Sequence, residues 1–465
     1  MKKYIALILC LMLAISVMSA ACADAQTVTG DVSIAVYPAE EELYNYVFSS
    51  SYFTEKYPGI HVTVIPWVSG SDEWLTTQAA NNTLPDIMLD WKDVTYPVSQ
   101  GWVYPITSFI ENDPESAWIP ANLAGKYVYG GEIYAVPYRY SLRTFAINVD
   151  MLDELNMDAP EYTWDIDMFK ELLIEATSST TSGMNYIGWM EDAFLAAMSP
   201  DGFGAWAYDK ENNRVNLTDG NFVIASNLIK ELEDIPGLCA DNLVDAMLTA
   251  FGKPDDYSKK FGDGVDAVGA GKVLVTNTST WDYSWFKNYT FEYDFYPIPG
   301  RSGEEPNIIT YTDHAFISST CKAPEAAYEV LKFVTFGDGG YQALLDHSEA
   351  QRAAGEEPDM WLPMSKCPAQ LEAFEKVDYV PQGVKWMFNH MDSAVVGDYN
   401  KCIPGMTICI EDYLNPAIDE VHTGTSDAEA IMVETEQMAN NYLRESAEIF
   451  SAQLAKVQEE FKSTH

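Results

Sequence analysis

Residues 129–152 read YGGEIYAVPYRYSLRTFAINVDML. The first half closes on an apolar run that carries Pro137, and the TFAIN that follows has the pattern of a buried strand. Between them stands YRYSLR, with two tyrosines and two arginines. Long hydrogen-bonding side chains between two segments that both seek a core fit a chain that passes from one lobe to another. On that reading the same side chains face a ligand in the cleft. In an extended run only alternate residues face one side.

The flanking sequence predicts the layers around this crossing. Upstream, VSIAVYP is a short apolar strand, a helix runs from about Glu40 to Lys56, and Pro58-Gly59 breaks the chain. HVTVIPW is an alternating strand, DEWLTTQAANN a helix, and LPDIMLDW a buried strand. Strand and helix alternating at this spacing predict an α/β fold with a mostly parallel sheet. Ligands of such sheets sit beyond the C-terminal strand ends, which marks Tyr37, Trp67, Asp90 and Trp91. Downstream, EYTWDIDMFKELLIEAT is a helix with Thr163 or Asp165 as N-cap, and Asn156 closes the short helix before it. Residues 183–262 read as mainly helical. VLVTNTS, DFYPIPG and TDHAFIS are strands, and Pro324 opens a further helix. The last third is helical and ends in one long helix from about Asp427, with Ser426 and Glu429 in capping-box spacing.

With 465 residues the chain is too long for one ordinary core, so two or three domains are expected. The N-terminus is basic (MKK), then apolar (YIALILCLMLAISVM), then small (SAACADA), the three regions of an export signal. An uncleaved anchor helix is the alternative, and the small-residue end favours cleavage. Two Ala-x-Ala patterns give a signal over residues 1–25. SAAC resembles a lipobox that would make Cys22 a lipidated N-terminus, although Ser19 stands where leucine is usual. The five later cysteines are odd in number and irregular in spacing. Cys402 and Cys409 flank a Pro-Gly turn, and either pair or remain separate thiols. The net charge of −43 argues against nucleic acid and against anionic membrane surfaces.

No H-E-x-x-H, G-x-S-x-G or EF-hand loop occurs, no histidines stand at metal-ligand spacing, and no cofactor is expected. GVDAVGAGKV is read as a tight turn into a strand, because Val273 stands where a phosphate loop needs Ser or Thr. With 70 acidic residues, carboxylate pairs say little about glycosidase chemistry. The aromatic content does carry information. Trp67, Trp91, Tyr138, Tyr140, Trp281, Trp285 and Tyr311 all follow or interrupt predicted strands. Flat aromatic faces suit the apolar C–H faces of sugar rings, while Asp, Glu, Asn and Arg suit their hydroxyls. Ordinary core filling is the competing use of each aromatic.

The order of segments resembles the bacterial extracellular solute-binding proteins of family 1, the sugar-capture components of ABC importers. FTEKYPGIHVTVIPW, LPDIMLDW, GGEIYAVPY with FAINVDMLDELNMDAPEYTWDIDMF, GAGKVLVTNTSTW and NPAIDEVHTGTSDAEA are similar to five of its segments, in its order. Asn156 departs where the family has Gly, and Val275 where Met is common. The resemblance implies a two-lobe periplasmic-binding-protein-like fold with a hinged interlobe cleft. Residues 26–143 with 298–345 would form the N-terminal lobe, and 144–297 with 346–465 the C-terminal lobe. Crossings would fall near 140–146, near Tyr296 to Ile298, and between 337 and 365.

It also implies a site. Trp281 is the foremost candidate, with Asp90 and Trp91 (and Asp93 close by) at the end of one strand. Trp189 and Glu191 lie in a second-lobe loop, and Glu41 follows the first strand; ordinary helix N-terminal charge accounts for Glu41 equally well. Tyr138, Arg139, Tyr140 and Arg143 belong to the crossing; Trp67, Trp285, Tyr311, Asp313 and Trp386 rank second. The implied function is capture of a carbohydrate, an oligosaccharide first among them, and delivery to ABC permease subunits by a monomer touching the membrane only through a lipid anchor. A secreted glycoside hydrolase is the rival, and the same fold with a peptide, polyamine or metal chelate is a third reading.

Overall fold

The computed structural model describes residues 28–68, 71–240, 257–286 and 288–464; the predicted export signal and Cys22 lie outside them. Nine strands make one mixed sheet: β1 (Gly30–Val36), β2 (Ile60–Pro66), β3 (Ile87–Asp90), β4 (Val136–Asn148), β5 (Ser182–Met184), β6 (Val273–Ser279), β7 (Tyr293–Pro297), β8 (Ile308–Ile317) and β9 (Ala394–Val396). Their order is β2-β1-β3-β8-β4-β6-β5, with β7 also on β4 and β9 also on β8. The helices that matter for the site are α1 (Glu41–Ser49), α2 (Ile166–Ala176), α3 (Glu191–Met198), α4 (Asn221–Glu233), α5 (Pro324–Val334), α6 (Gln382–Asn389), α7 (Asn415–His422) and α8 (Ala428–Thr464). Helices on a mixed, mostly buried sheet give the expected α/β class, in two lobes.

The opening stretch is a single thirteen-residue strand. Its first part, Val136–Leu142, pairs antiparallel with β8 (Tyr311 opposite Ser141, Asp313 opposite Arg139). From Arg143 onward it pairs with β6 (Ser279 opposite Arg143), and with β7 from Thr144. Alternation then sorts its side chains among different cores. Val136 joins the cluster of β1, β3 and α5, Phe145 and Ile147 join that of α2 and α3, and Leu142 and Ala146 join a third under α6. β8 makes the return: Ile309 belongs to the second of these cores, Ala315 and Ile317 to the first. The YRYSLR hexamer thus occupies the changeover, where Tyr140 and Leu142 still enter the third core and the two arginines supply the polar length.

Local chemistry sets the element ends. The expected helix from Glu40 to Lys56 divides at Ser50, whose ψ is 154° and whose hydroxyl donates to the Val47 carbonyl. Asp165 caps α2, accepting the amides of Asp167 and Met168, and Asn156 adopts the left-handed conformation with φ 55°. Ser426 donates its hydroxyl to Glu420 instead, and α8 begins at Ala428. Cys402 and Cys409 are separate buried thiols. Of the region expected to be mainly helical, 241–256 lie outside the described residues; the described part of 183–262 holds the end of β5 and a small hairpin over 208–215 beside α3 and α4.

α8 has 37 residues, roughly 55 Å at 1.5 Å per residue. Its start packs on the 215–218 segment, where Glu436 accepts the Thr218 amide and Asn440 accepts that of Val215. Its end packs on the 104–134 segment: Phe450 meets Tyr129 edge-on, Gln458 bonds the Tyr134 hydroxyl and Phe461 meets Tyr104. One hydrophobic cluster accordingly contains Ala35, Trp67 and Met88 together with Tyr208, Leu443, Phe450 and Leu454. Among the described residues no helix is long and apolar enough to cross a membrane.

Candidate functional site

Of the three strand ends expected to carry the site, those after β1 and β6 reach a chamber through Tyr37 and Trp281, whereas Trp67, Asp90 and Trp91 line neither of the two described below. After β1, Tyr37 stands half-exposed with its ring edge-on to Trp67, centroids 5.2 Å apart. Trp67 is itself buried behind it, and its indole N–H has no protein partner. After β3, the Asp90 carboxylate accepts the amides of Trp91 and Lys92 (2.8 and 3.2 Å), a tight turn that pushes the Trp91 ring outward. Lys92 lies 5.3 Å from that ring. Asp93 accepts the amide and hydroxyl of Thr95, yet burial pushes it up to about 6. After β6, a turn of 3₁₀ helix over Thr280–Asp282 presents Trp281, 49 % exposed, edge-on to Tyr311 at 5.0 Å.

The larger chamber, about 550 Å³, lies on the Trp281 side. Tyr37, Glu40, Tyr138, Arg139, Trp281 and Trp361 are among its walls. Arg139 is held on several sides but not saturated: it pairs with Glu40, reaches Asp313 at 3.9 Å, and lies over the rings of Tyr138 and Trp361, while its buried Nε has no protein hydrogen-bond partner. The ion pairs continue beneath the cleft. Lys401 bridges Asp313 (2.7 Å) and Asp398 (3.2 Å), and Asp398 pairs with the buried Lys126. Burial alone would raise Asp398, but Lys126 and Lys401 hold it below the usual carboxylate range.

The smaller chamber, about 330 Å³, is lined by Trp189, Asp192, Trp206, Tyr311, Tyr399 and Asn400, among others. Trp189 and Trp206 both have left-handed backbones, φ 64° and 62°. Trp189 stacks on His422 at 6.0 Å. Burial raises Asp192 against the opposing pull of Arg143. The chambers meet where Trp281 of the first touches Tyr311 of the second.

The structure thus brings Tyr138, Arg139, Tyr140 and Trp281 to one chamber and Trp189 and Tyr311 to the other. Arg143 sits in the field of Asp192 and Tyr311. The remaining expected residues line neither chamber. Glu41 is exposed in the first turn of α1, one residue past the chamber-lining Glu40. Glu191 is fully buried and accepts from His422 Nε2 at 2.9 Å, while Asp313 serves the ion-pair ladder. Trp285 is exposed on the short helix after Trp281. Trp386 stacks on His390 and Tyr162 beside β7. Trp206, Tyr399, Asn400 and Trp361 were not legible in the sequence, since loops without periodicity carry them. Among the described residues no three metal-ligating side chains converge on a metal site.

Residues 27–338 match the family described as bacterial extracellular solute-binding protein. Solved structures share the fold. An ABC substrate-binding protein of Listeria monocytogenes, in complex with cycloalternan, has a TM-score of 0.62 at 17% identity over 89% of this chain and 98% of that one. The GacH receptor of Streptomyces glaucescens, solved unliganded and with acarbose, gives 0.64 at 17% over 90% and 99%. The sugar-binding protein MalE of Xanthomonas citri gives 0.64 at 14% over 90% and 99%. No curated protein matches the chain in sequence.

Proposed function

The chain belongs to the bacterial extracellular solute-binding proteins, and from that premise we propose that it captures a carbohydrate outside the cytoplasm and hands it unaltered to the permease pair of an ABC importer. The observation that carries the sugar is Trp281: a large aromatic face left half in water, fixed at the end of a buried strand and braced by Tyr311. Solvent-exposed tryptophan held rigid is a ready platform for the C–H face of a ring. The solved relatives named above with cycloalternan and acarbose support the same ligand class.

Capture works through the crossings between the lobes. A ligand that touches both lobes stabilises the form in which they are closer, and the permease reads that form. A preference of roughly 3–5 kcal/mol for the closed form reverses a population that starts mostly open. Charge-assisted hydrogen bonds contribute about 1.5–3 kcal/mol each, so aromatic stacking and one or two such bonds are sufficient. The protein makes and breaks no bond in this scheme. It acts as a monomer, without nucleic acid, exported by residues 1–25 or tethered through a lipidated Cys22. Its lobes divide as 26–143 with 298–345 and 144–297 with 346–465.

A thermal-shift screen over mono- and oligosaccharides tests this directly, because a ligand of the native state raises the melting point by mass action. A rise with sugars, and none with peptides or polyamines, is expected. New reducing ends in an incubated oligosaccharide pool would instead make the protein a hydrolase.

A further inference from the structure

A third cavity, about 420 Å³, lies away from the cleft, and none of its lining residues lines either chamber. Its size falls within the range of small-molecule sites, roughly 300–1,000 Å³. Four segments meet around it: 126–130, 208–213, 402–404 and residues 447–458 of α8. On α8 the lining residues fall at 447, 450, 451, 454, 455 and 458, the spacing of one helix face. That face runs for roughly 16 Å at 1.5 Å per residue. Phe450, Leu454, Ile403, Pro404 and the exposed Val128 make the cavity a long apolar groove.

Its charge is out of character with the chain. Acidic residues outnumber basic ones 70 to 27, yet among the described residues two lysines and no carboxylate line this groove. The two lysines are not equivalent. Lys126 is buried and spent on Asp398 and Thr312. Lys210 gives one hydrogen bond to the Gly125 carbonyl and forms no ion pair among the described residues. The neighbouring Asp209 is turned instead to the amides of Glu211 and Asn212. Partial desolvation and the charge of nearby Lys126 hold Lys210 below the ordinary lysine range. An ammonium carries three donors, so an anion arriving there meets a cation with donors to spare. An apolar groove with one such ammonium in its wall matches a molecule with an aliphatic body and a single negative group, and a neutral sugar has neither.

We propose that this groove is a second ligand site, for an aliphatic monocarboxylate free in solution, with its chain along the α8 face and its carboxylate at Lys210. The occupant ties α8 to the 126–130 and 208–213 segments, and it binds whether or not the cleft is filled.

The test is calorimetry on the chain without its export signal, using decanoate, decanol and decylamine below micelle-forming concentrations. Decanoate is expected to bind at a single site and at least about tenfold more tightly than decanol, the least that one charge-assisted hydrogen bond contributes. Decylamine is expected not to bind. Lys210→Met should bring decanoate down to the affinity of decanol while leaving decanol unchanged, a split that misfolding would not produce. Ala455→Trp, which fills the groove from an exposed position on α8, should remove both. Trp281→Ala should alter neither, since Trp281 belongs to the cleft. Equal affinity for decanoate and decanol, decanoate binding that survives both Lys210→Met and Ala455→Trp, or no binding of decanoate at all overturns the second site. Each of these outcomes leaves the carbohydrate reading untouched.

Discussion

Trp281 and Arg139 show how differently two cleft residues respond to change. Trp281 is half in water, so Trp281→Ala should alter folding stability by no more than about 0.5 kcal/mol. It should weaken sugar binding roughly 10–100-fold, read by calorimetry. Unchanged binding would remove Trp281 from the site. Arg139 already pairs with Glu40 and Asp313 while its Nε lacks a protein partner, so its loss should be felt in the hinge as well as at the ligand. At this scale the sequence was partly legible. A tryptophan just after a buried strand has few places to point, which is why Trp281 was evident. Glu41 and Glu40 differ by one position, and a turn of 3₁₀ helix over Pro38–Glu40 decides which faces the cleft. Hydropathy cannot resolve that. Trp206 sits in a loop whose left-handed backbone leaves no pattern at all.

Elements are held to one another by charges that no periodicity reveals. His422, at the end of α7, contacts Glu191 of α3 (2.9 Å) and Glu233 of α4 (3.2 Å). Burial opposes its protonation, yet the two carboxylates outweigh that and push it up to about 10. Its folded value therefore lies above the ordinary 6.5. The stabilisation is fully present below about pH 6.5 and is lost as pH rises toward 10. Denaturant titrations across pH 6–10 should show this decline, and His422→Gln should abolish it. That variant should also cost roughly 3–5 kcal/mol at neutral pH, since two buried carboxylates lose their cation. Lys126→Met is expected to cost a similar roughly 3–5 kcal/mol in the same titration, because Asp398 would keep only Lys401. A variant as stable as the parent would show that water reaches Asp398. By contrast, β4 itself was readable: two apolar segments around a polar hexamer mark a strand that changes partners.

Across the whole molecule, closure predicts a smaller radius of gyration with a bound oligosaccharide than without, measurable by small-angle scattering. No change with a demonstrated ligand would exclude hinge closing. On the proposed lobe division α8 constrains that movement, since its start is fastened at Val215 and its end at Tyr134 and Tyr104. Ending the chain at residue 446 should lower the melting temperature and enlarge the unliganded particle. The two-lobe plan was legible because five segments fall in a known order. The clasp was not, because an amphipathic helix announces its length but not which lobes it will join.

The same helix has a consequence for how the chain is made. Side chains from β1 and β3 share a core with Leu443, Phe450 and Leu454, so the earliest-synthesised layer is completed by some of the last residues. A nascent chain lacking residues 443–454 keeps that layer unfinished, with its apolar side chains open to water. Limited proteolysis of chains arrested near residue 427 should find β1 to β3 open to cleavage, and release of the final segment should close them.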